Sequence, residues 1–361
     1  MAATDCTIFA ENPPTRRSHT HTMEKEITIY DLAEKLNISP ATVSRGLQDH
    51  PAISKKTKKR IQELAEQIGY RSNHFARNLR SKQTHTLGVI VPRLDSYFVS
   101  TVIAGMEDAA VGHGYKLIIS QSSEQAAKEA TSAKTLYDSR VDGLLVSLAV
   151  DTENLEHFYI YFQKKIPLVF FDRVLAHEQC LEVLIDNRKA AYEATRHLID
   201  QGCRRLVHIT APPKRNVYAD RLAGFKQALA EAGIPFFEDQ LIIGNLRQND
   251  GHKAAQNILS RTSRPDGIFV ANDYCAAACL ASLKKTGVRI PQDMAIVGFN
   301  NDPVCTVVEP NLSTINYPGY EMGHIAATNL IQALNGSMDF GTTNSILLRS
   351  ELVVRESSKR N

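Results

Sequence analysis

The chain has 361 residues, 43% of them hydrophobic and 22% charged, which suits a folded protein of two or three domains and excludes a disordered one. Its net charge of +3 conceals an asymmetry: residues 23–85 carry twelve Lys and Arg against seven Asp and Glu, whereas residues 86–361 sum to −2, so nucleic acid is attracted to one end. Six cysteines (Cys6, Cys180, Cys203, Cys275, Cys279 and Cys305) form no CxxC pair and no His/Cys cluster, which argues against a zinc site and fits reduced thiols in the cytoplasm.

Residues 1–22 hold no sustained apolar run, so they read as a disordered extension, neither signal peptide nor membrane anchor. Between Ile27 and Tyr70 the pattern turns helical three times. Thr28 is a candidate N-cap with Asp31 three residues on, and Ile29, Leu32, Ala33 and Leu36 recur at helical spacing. Asn37-Ile38 breaks that helix; Ser39 caps a second with Pro40 at its first position, and Val43 and Leu47 form an inward pair. Ser54 caps a third, whose Ile61, Leu64, Ala65 and Ile68 face inward and whose end Gly69 marks. Two helices joined by so short a turn, with a third closing a small core, fit a helix-turn-helix.

With Val43 and Leu47 turned in, Ala41, Thr42, Ser44, Arg45 and Gln48 are left on the outer side of the second helix, within reach of groove edges and phosphates. Arg45 is the best base reader, because a guanidinium fork can pair with both acceptors of a guanine. Lys55, Lys56, Lys58, Lys59 and Arg60 crowd the third helix. Such a run alone is a solvated face; beside a helix-turn-helix it reads as phosphate contact.

The run Ser39-Pro40-Ala41-Thr42-Val43-Ser44-Arg45, with Ile29-Tyr30-Asp31-Leu32-Ala33 before it and Ile68-Gly69-Tyr70 after it, resembles the headpiece of the lac repressor family of bacterial transcription regulators. The resemblance implies operator contacts from Thr28, Ser39, Pro40, Ala41, Thr42, Ser44, Arg45 and Lys59. It also implies a hinge helix over 72–81 that folds on DNA, with Asn73 and Ala76 at the duplex and Leu79 wedged into the minor groove. An inserted leucine unstacks a base step and kinks the duplex; the alternative is a polar linker whose one leucine packs on the core. Family members usually begin just before the first helix, which makes Met23 the expected start.

From Thr86 onward apolar runs alternate with helical patterns, the signature of βαβ units and parallel sheets. Strands are expected at 87–91, 116–120, 141–147 and 167–171, alternating with helices at 99–113, 125–140 and 154–164. A second series follows residue 185, with helices at 188–201, 219–232, 251–260 and 274–286 and strands at 206–210, 241–243, 267–271 and 295–299. This is two doubly wound α/β lobes rather than one sheet. Such lobes resemble periplasmic sugar-binding proteins, and in the lac repressor family the same arrangement forms the effector-binding and dimerising core. The resemblance runs from about residue 27 to residue 356 and includes Phe171-Asp172-Arg173, Asp220-Arg221-Leu222-Ala223-Gly224-Phe225, Ala271-Asn272-Asp273, Val297-Gly298-Phe299 and a closing strand pair within 348–357. It implies a headpiece at 23–71, a hinge at 72–85, a first lobe from 86–185 with 317–346, and a second from 186–316 with 347–361.

In an open α/β lobe, ligands sit beyond the carboxyl ends of the strands. Tyr97 and Phe98 follow the first expected strand, Ser147 the third, and Asp172 and Arg173 the fourth; the second lobe contributes Arg215, Arg221, Leu246, Asn272, Asp273, Phe299 and Asn300. Arg221 and Asn272 match family positions that hydrogen-bond the effector, and the Tyr97-Phe98 positions supply an aromatic wall. Each has a scaffold alternative: Asp273 is equally an N-cap, Arg221 a partner for an internal carboxylate, Phe98 a core residue. The chain departs from the family twice. Asn300 stands where an Asp commonly follows Val-Gly-Phe, and Leu246 falls where some relatives carry an aromatic. An uncharged amide beside Arg221 and Arg215 favours an acceptor-rich effector, a sugar or an anionic sugar derivative, against which Asp172 and Asp273 count.

There is no Gly-rich phosphate loop, no Gly-x-Ser-x-Gly elbow and no metal-ligand spacing, so neither an enzyme nor a cofactor or metal is expected. A two-lobed α/β small-molecule-binding protein or enzyme without a DNA role is the rival reading. The expectation is a homodimeric, cytoplasmic, nucleoid-associated regulator that represses a carbohydrate-use operon. Its expected partners are double-stranded operator DNA and a small sugar-like effector, with no membrane. Tetramer formation and the sign of the effector's action stay open.

Overall fold

The computed structural model describes residues 27–70 and 83–360, in two compact units divided after residue 80. The first unit holds three helices, α1 (Ile29–Leu36), α2 (Pro40–Leu47) and α3 (Lys55–Gln67). Each begins for a local reason. The Asp31 carboxylate accepts both the backbone N–H and the hydroxyl of Thr28 at 2.6 Å, Ser39 Oγ accepts the N–H of Thr42 at 3.1 Å, and Ser54 Oγ that of Thr57 at 3.2 Å. Asn37, left-handed at φ 53°, ends α1 and starts the turn. Leu32, Ala33, Val43, Ile61 and Ala65 form the buried core. Gly46 is part of the same packing: a Cβ there would collide with the Ile61 side chain, so α2 and α3 approach through it.

The second unit is two six-stranded sheets. One contains β1 (Thr86–Val91), β2 (Lys116–Gln121), β3 (Gly143–Val146), β4 (Leu168–Phe171), β5 (Cys180–Ile185) and β11 (Ser345–Leu348), in the order β11-β5-β4-β3-β1-β2, all parallel. The other contains β6 (Leu206–Thr210), β7 (Leu241–Ile243), β8 (Gly267–Val270), β9 (Ala295–Asn300), β10 (Ser313–Asn316) and β12 (Glu351–Val353), in the order β12-β10-β9-β8-β6-β7. Here β12 alone runs antiparallel, against β10. The two closing strands do not form a pair with each other: β11 joins β5 in one sheet and β12 joins β10 in the other.

On the first sheet lie α4 (Tyr97–Gly112), α5 (Ala126–Asp138), the five-residue α6 (Tyr159–Gln163) and, from much later in the chain, α11 (Gly319–Leu334), which packs on α4 and over β3 and β4. On the second lie α7 (Asn187–Asp200), α8 (Asn216–Glu231), α9 (Gln248–Ser260) and α10 (Asp273–Lys285). The segment expected as one helix over 154–164 is instead a 3-10 turn, Glu156–Phe158, running into α6, because Asn154 folds its side chain back to accept the N–H of Glu156 at 3.1 Å. Helix α8 starts three residues earlier than its apolar spacing suggests, at Asn216.

Both sheets reverse their order beside their first strand, between β1 and β3 and between β6 and β8. Such switch points open a crevice at the carboxyl ends of the strands. The chain passes from one sheet to the other between β5 and α7, between β10 and α11, and between β11 and β12, and one apolar cluster runs through both lobes, from Val102 and Phe171 to Phe225 and Phe299.

Candidate DNA-binding face and effector cleft

On α2, burial of Val43 and Gly46 leaves Ala41, Arg45 and Gln48 exposed, with Pro40, Thr42 and Ser44 half-buried and Ser39 exposed at the cap. Thr28, exposed, starts α1, and Lys59, also exposed, lies 3.8 Å from Glu63. Lys58 differs from its cationic neighbours: its Nζ donates to Asp49 Oδ1 at 2.7 Å and to the Asp49 carbonyl at 2.9 Å, so it ties the loop to α3. That bond holds the Asp49 carboxyl below its usual range. Asn73, Ala76 and Leu79 lie outside the described residues.

In the second unit, the loops after the strands bring most of the expected residues together. Asp172, left-handed at φ 59°, accepts the Tyr317 hydroxyl at 2.8 Å and Ser147 Oγ at 3.3 Å, and its carbonyl accepts Asn216 Nδ2 at 3.0 Å. Arg173 donates to Glu124 at 2.6 Å on its own lobe and to the Tyr218 hydroxyl at 2.9 Å on the other. Arg247 reaches Asp95 at 3.5 Å, another bridge between the lobes. Tyr97 is 43% exposed at the start of α4, while Phe98 is buried and stacks on Tyr317 at 4.3 Å.

Beneath them lies Arg221. Its Nε donates to Asn187 Oδ1 at 2.9 Å and its Nη1 to the Ala271 carbonyl at 3.0 Å, and the guanidinium sits 3.5 Å above the Phe299 ring centroid, a cation–π geometry. Burial pulls its pKa down, and Tyr317, Tyr218 and Asp172 oppose that. Phe299 is fully buried as the floor of this stack.

Asn272, rather than Asp273, caps α10, its Oδ1 accepting the N–H of Cys275 at 3.1 Å. Asp273 has no exposed surface; it accepts Thr314 Oγ1 at 2.7 Å and the N–H of Asp302 at 2.8 Å, so it organises the loop after β9 from below. Asn300, the last residue of β9, and Asn301, the first of that loop, both have positive φ, 122° and 61°, and Asn300 Nδ2 donates to Asp302 Oδ2 at 3.4 Å. Burial raises both Asp273 and Asp302, and the charge of Asp273 helps take Asp302 up to about 7. Leu246, 8% exposed, belongs to the apolar core of the second lobe and lines a separate recess of about 190 Å³ with Ile209, Ile242 and Ala254.

Arg215 stands apart. It precedes α8, is 5% exposed, and its Nε and Nη1 have no hydrogen-bond partner among the described residues. Burial lowers its pKa, and the charges acting on it come from across the cleft: Glu129, Asp151 and Glu153 favouring the cation, Arg173 opposing it.

Several residues of the cleft are absent from the strand-end reasoning, chiefly Asn187, Tyr317, Glu124, Tyr218 and Asp302. Tyr317 directly follows β10 and Asn187 stands two residues after β5, strands that the sequence pattern does not announce, so the same rule finds them once those strands are known. Among the described residues no cluster of His, Cys, Asp and Glu is placed to hold a metal ion, and no helix is long and apolar enough to cross a membrane.

Residues 28–73 match the model of bacterial regulatory proteins of the lacI family, and residues 195–358 match a periplasmic binding protein-like domain. Catabolite control protein A of Priestia megaterium is 31% identical over 86% of this chain and 93% of its own. The HTH-type transcriptional repressor CytR of Escherichia coli K12 is also 31% identical, over 93% of this chain and 97% of its own. Among solved structures, the lac repressor dimer bound to operator and the anti-inducer ONPF superposes with a TM-score of 0.81 at 22% identity, over 92% of this chain and 99% of that one, which speaks to fold alone. The complex of the transcriptional regulator CelR with cellobiose superposes at 0.69 with 25% identity, over 92% and 99%. With a helix-turn-helix unit, a two-lobed periplasmic-binding-protein-like core and relatives that are transcription regulators rather than enzymes, the chain belongs to the lacI family of bacterial transcription regulators.

Proposed function

We propose that the chain represses a carbohydrate-use operon, binding a near-palindromic operator as a homodimer and responding to a sugar or sugar derivative held between its lobes. The observation that carries the DNA half is the division of labour on α2, whose inner side is spent on Val43 and Gly46 while Ala41, Arg45 and Gln48 stay exposed. Arg45 reads a base, Lys59 neutralises phosphate, and Leu79, with Asn73 and Ala76, engages the minor groove. The effector half is supported by polar side chains converging from both lobes on the switch points, and by the sugar complex of the similar regulator CelR. Closure of the lobes on the effector shifts operator affinity only if the effector prefers one lobe arrangement. A second copy is supported by the edge strand β2, where Ile118 and Ile119 are each 41% exposed. The regulator works in the cytoplasm, at the nucleoid.

The test is operator binding across a salt series. Arg45→Ala should lose about 1–3 kcal/mol at one base position only, whereas Lys59→Ala should weaken all DNA alike and flatten the salt slope. Leu79→Ala should reduce bending as well as affinity. Equal losses on operator and random DNA for Arg45→Ala would assign that arginine to phosphate. A monomer in sedimentation at operator-binding concentrations would remove the dimer.

A further inference from the structure

Two buried carboxylates meet beneath the end of β9, and the fold supplies them unequally. Asp273 accepts Thr314 Oγ1 at 2.7 Å, the N–H of Asp302 at 2.8 Å and the Cys305 thiol. Gly298 makes room for it, since a Cβ there would strike Asp273 Oδ1. Asp302, 3% exposed, has only the long bond from Asn300 at 3.4 Å on Oδ2, and no partner among the described residues on Oδ1. Its other titratable surroundings bring it no cation. Tyr274 stands next to Asp273 on α10, and Cys305 lies in the 3-10 turn Pro303–Thr306 that follows. Arg355 donates instead to the Leu312 carbonyl at 2.7 Å and to Asn301 Oδ1 at 2.8 Å. A carboxylate rich in donors keeps its charge and one poor in them keeps its proton, so a proton held by this pair sits on Asp302.

The same stretch is fastened to two of the three passages between the lobes. At the start of the second, the Asn300 carbonyl accepts the N–H of Tyr317 at 3.4 Å and Asn301 Nδ2 donates to Asn316 Oδ1 at 3.1 Å. Arg355, which holds Asn301, stands two residues beyond β12, the strand that the third passage reaches. Asn300 and Asn301 both keep a positive φ, so these bonds, with that from the Asp302 N–H to Asp273, hold a backbone conformation that side chains disfavour.

We propose that Asp302 is a proton-operated catch on the lobes: protonated, it lets residues 300–302 lie against Asp273 and hold both passages; ionised, it leaves its site and releases them. An ionised Asp302 in place is an unpaired charge in a dry site beside a second carboxylate, and moving the loop into water relieves both costs. Acidity thereby becomes a second input to the regulator, alongside its small molecule. Burial and the charge of Asp273 take the ionisation of the held form up to about 7, against an ordinary 3.8 once released. The balance between held and released forms therefore shifts about tenfold toward release from pH 6 to pH 8.

The experiment is hydrogen exchange of the full chain at pH 6 and pH 8, corrected for the intrinsic pH dependence of exchange. Protection of the Asp302 and Tyr317 N–H groups should fall about tenfold in the parent chain and should not fall in Asp302→Asn. No fall in the parent, or the same fall in the variant, overturns the catch. Both groups should exchange faster than those of β8 at either pH; equal protection would mean that they open only with the whole core, and would also overturn it. Asn301→Gly gives an independent variant: it keeps the left-handed backbone and removes both side-chain bonds, so at pH 6 it should show at least the Tyr317 exchange that the parent shows at pH 8. Full protection there removes the fastening. The regulatory consequence, which rests on the function proposed above, is read on a duplex selected by the full chain at pH 6. Its affinity should change between pH 6 and pH 8 by a factor about threefold or more larger in the parent than in Asp302→Asn, whose headpiece charges are the same. Equal factors overturn acidity as an input. A chain that selects no duplex sinks the regulator reading, while the exchange arm still decides the catch.

Discussion

At the scale of single residues, the loop after β9 concentrates the most unusual chemistry. Asp302 is 3% exposed, its Oδ1 has no partner among the described residues, and it neighbours Asp273, Tyr274 and Cys305, with Asn300 alone donating to it. In the unfolded chain this carboxyl ionises near its ordinary 3.8, in the fold near 7. Between those values the unfolded state gives up its proton first, so stability falls as pH rises across that window and levels off above it. The loss should be about 2–4 kcal/mol. Denaturation midpoints measured from pH 4 to pH 8 should therefore flatten in Asp302→Asn, which should also be the more stable protein at pH 8. An unchanged slope would move the titration to another group. Nothing in the sequence marks Asp302 out, since its character comes first from burial and then from Asp273, 29 positions away, both reached only through folding.

At the scale of elements, helix crossings are set by missing side chains. A Cβ on Gly323 of α11 would strike the backbone carbonyl of Val102 on α4, and one on Gly105 of α4 would strike the carbonyl of Tyr320, so the two helices meet backbone to backbone. Gly323→Ala should cost about 1–3 kcal/mol by overpacking, since backbone cannot yield as a flexible side chain can; calorimetry of this variant beside the exposed Gly112→Ala, with open space around it, checks this. A loss no larger than that of the control would mean the crossing slides freely. These elements also define what the sequence could reveal. The caps at Thr28, Ser39 and Ser54 and the strand-helix alternation are legible because each depends on neighbours within a few residues. The strand β10, Ser-Thr-Ile-Asn, reads as a loop, and becomes a strand because Ser313 and Thr314 are bonded to Arg355, Ser357 and Asp273 from elsewhere. Strand β5 is hidden by Glu182 within its apolar run. The cleft residues that follow those strands, Asn187 and Tyr317, were illegible for the same reason, and Arg215 could be named from sequence but not distinguished from Arg221, because only the fold shows which of them is already bonded.

At the scale of the molecule, the dominant feature is that the chain passes between the sheets three times, and an apolar cluster, the bond from Asn216 to the Asp172 carbonyl and the Arg173–Tyr218 and Arg247–Asp95 bridges join the lobes. The last passage separates β11, on the edge of the first sheet, from β12, on the edge of the second, and just beyond it Ser357 and Ser358 are buried against Ile296, Ser313 and His197. A ribosome making this chain therefore finishes neither lobe until it has nearly finished both. The first lobe must wait through the whole of the second for α11 and β11, holding β5 with an unpaired edge, and the second must wait for β12 to cover β10. Such late, long-range closure favours slow assembly and exposes strand edges to association with other chains. Chains stopped after residue 340 should be cut by protease in both lobes at similar rates, whereas chains stopped after residue 360 should resist in both; selective loss of the second lobe alone would mean that the first matures without its final strand.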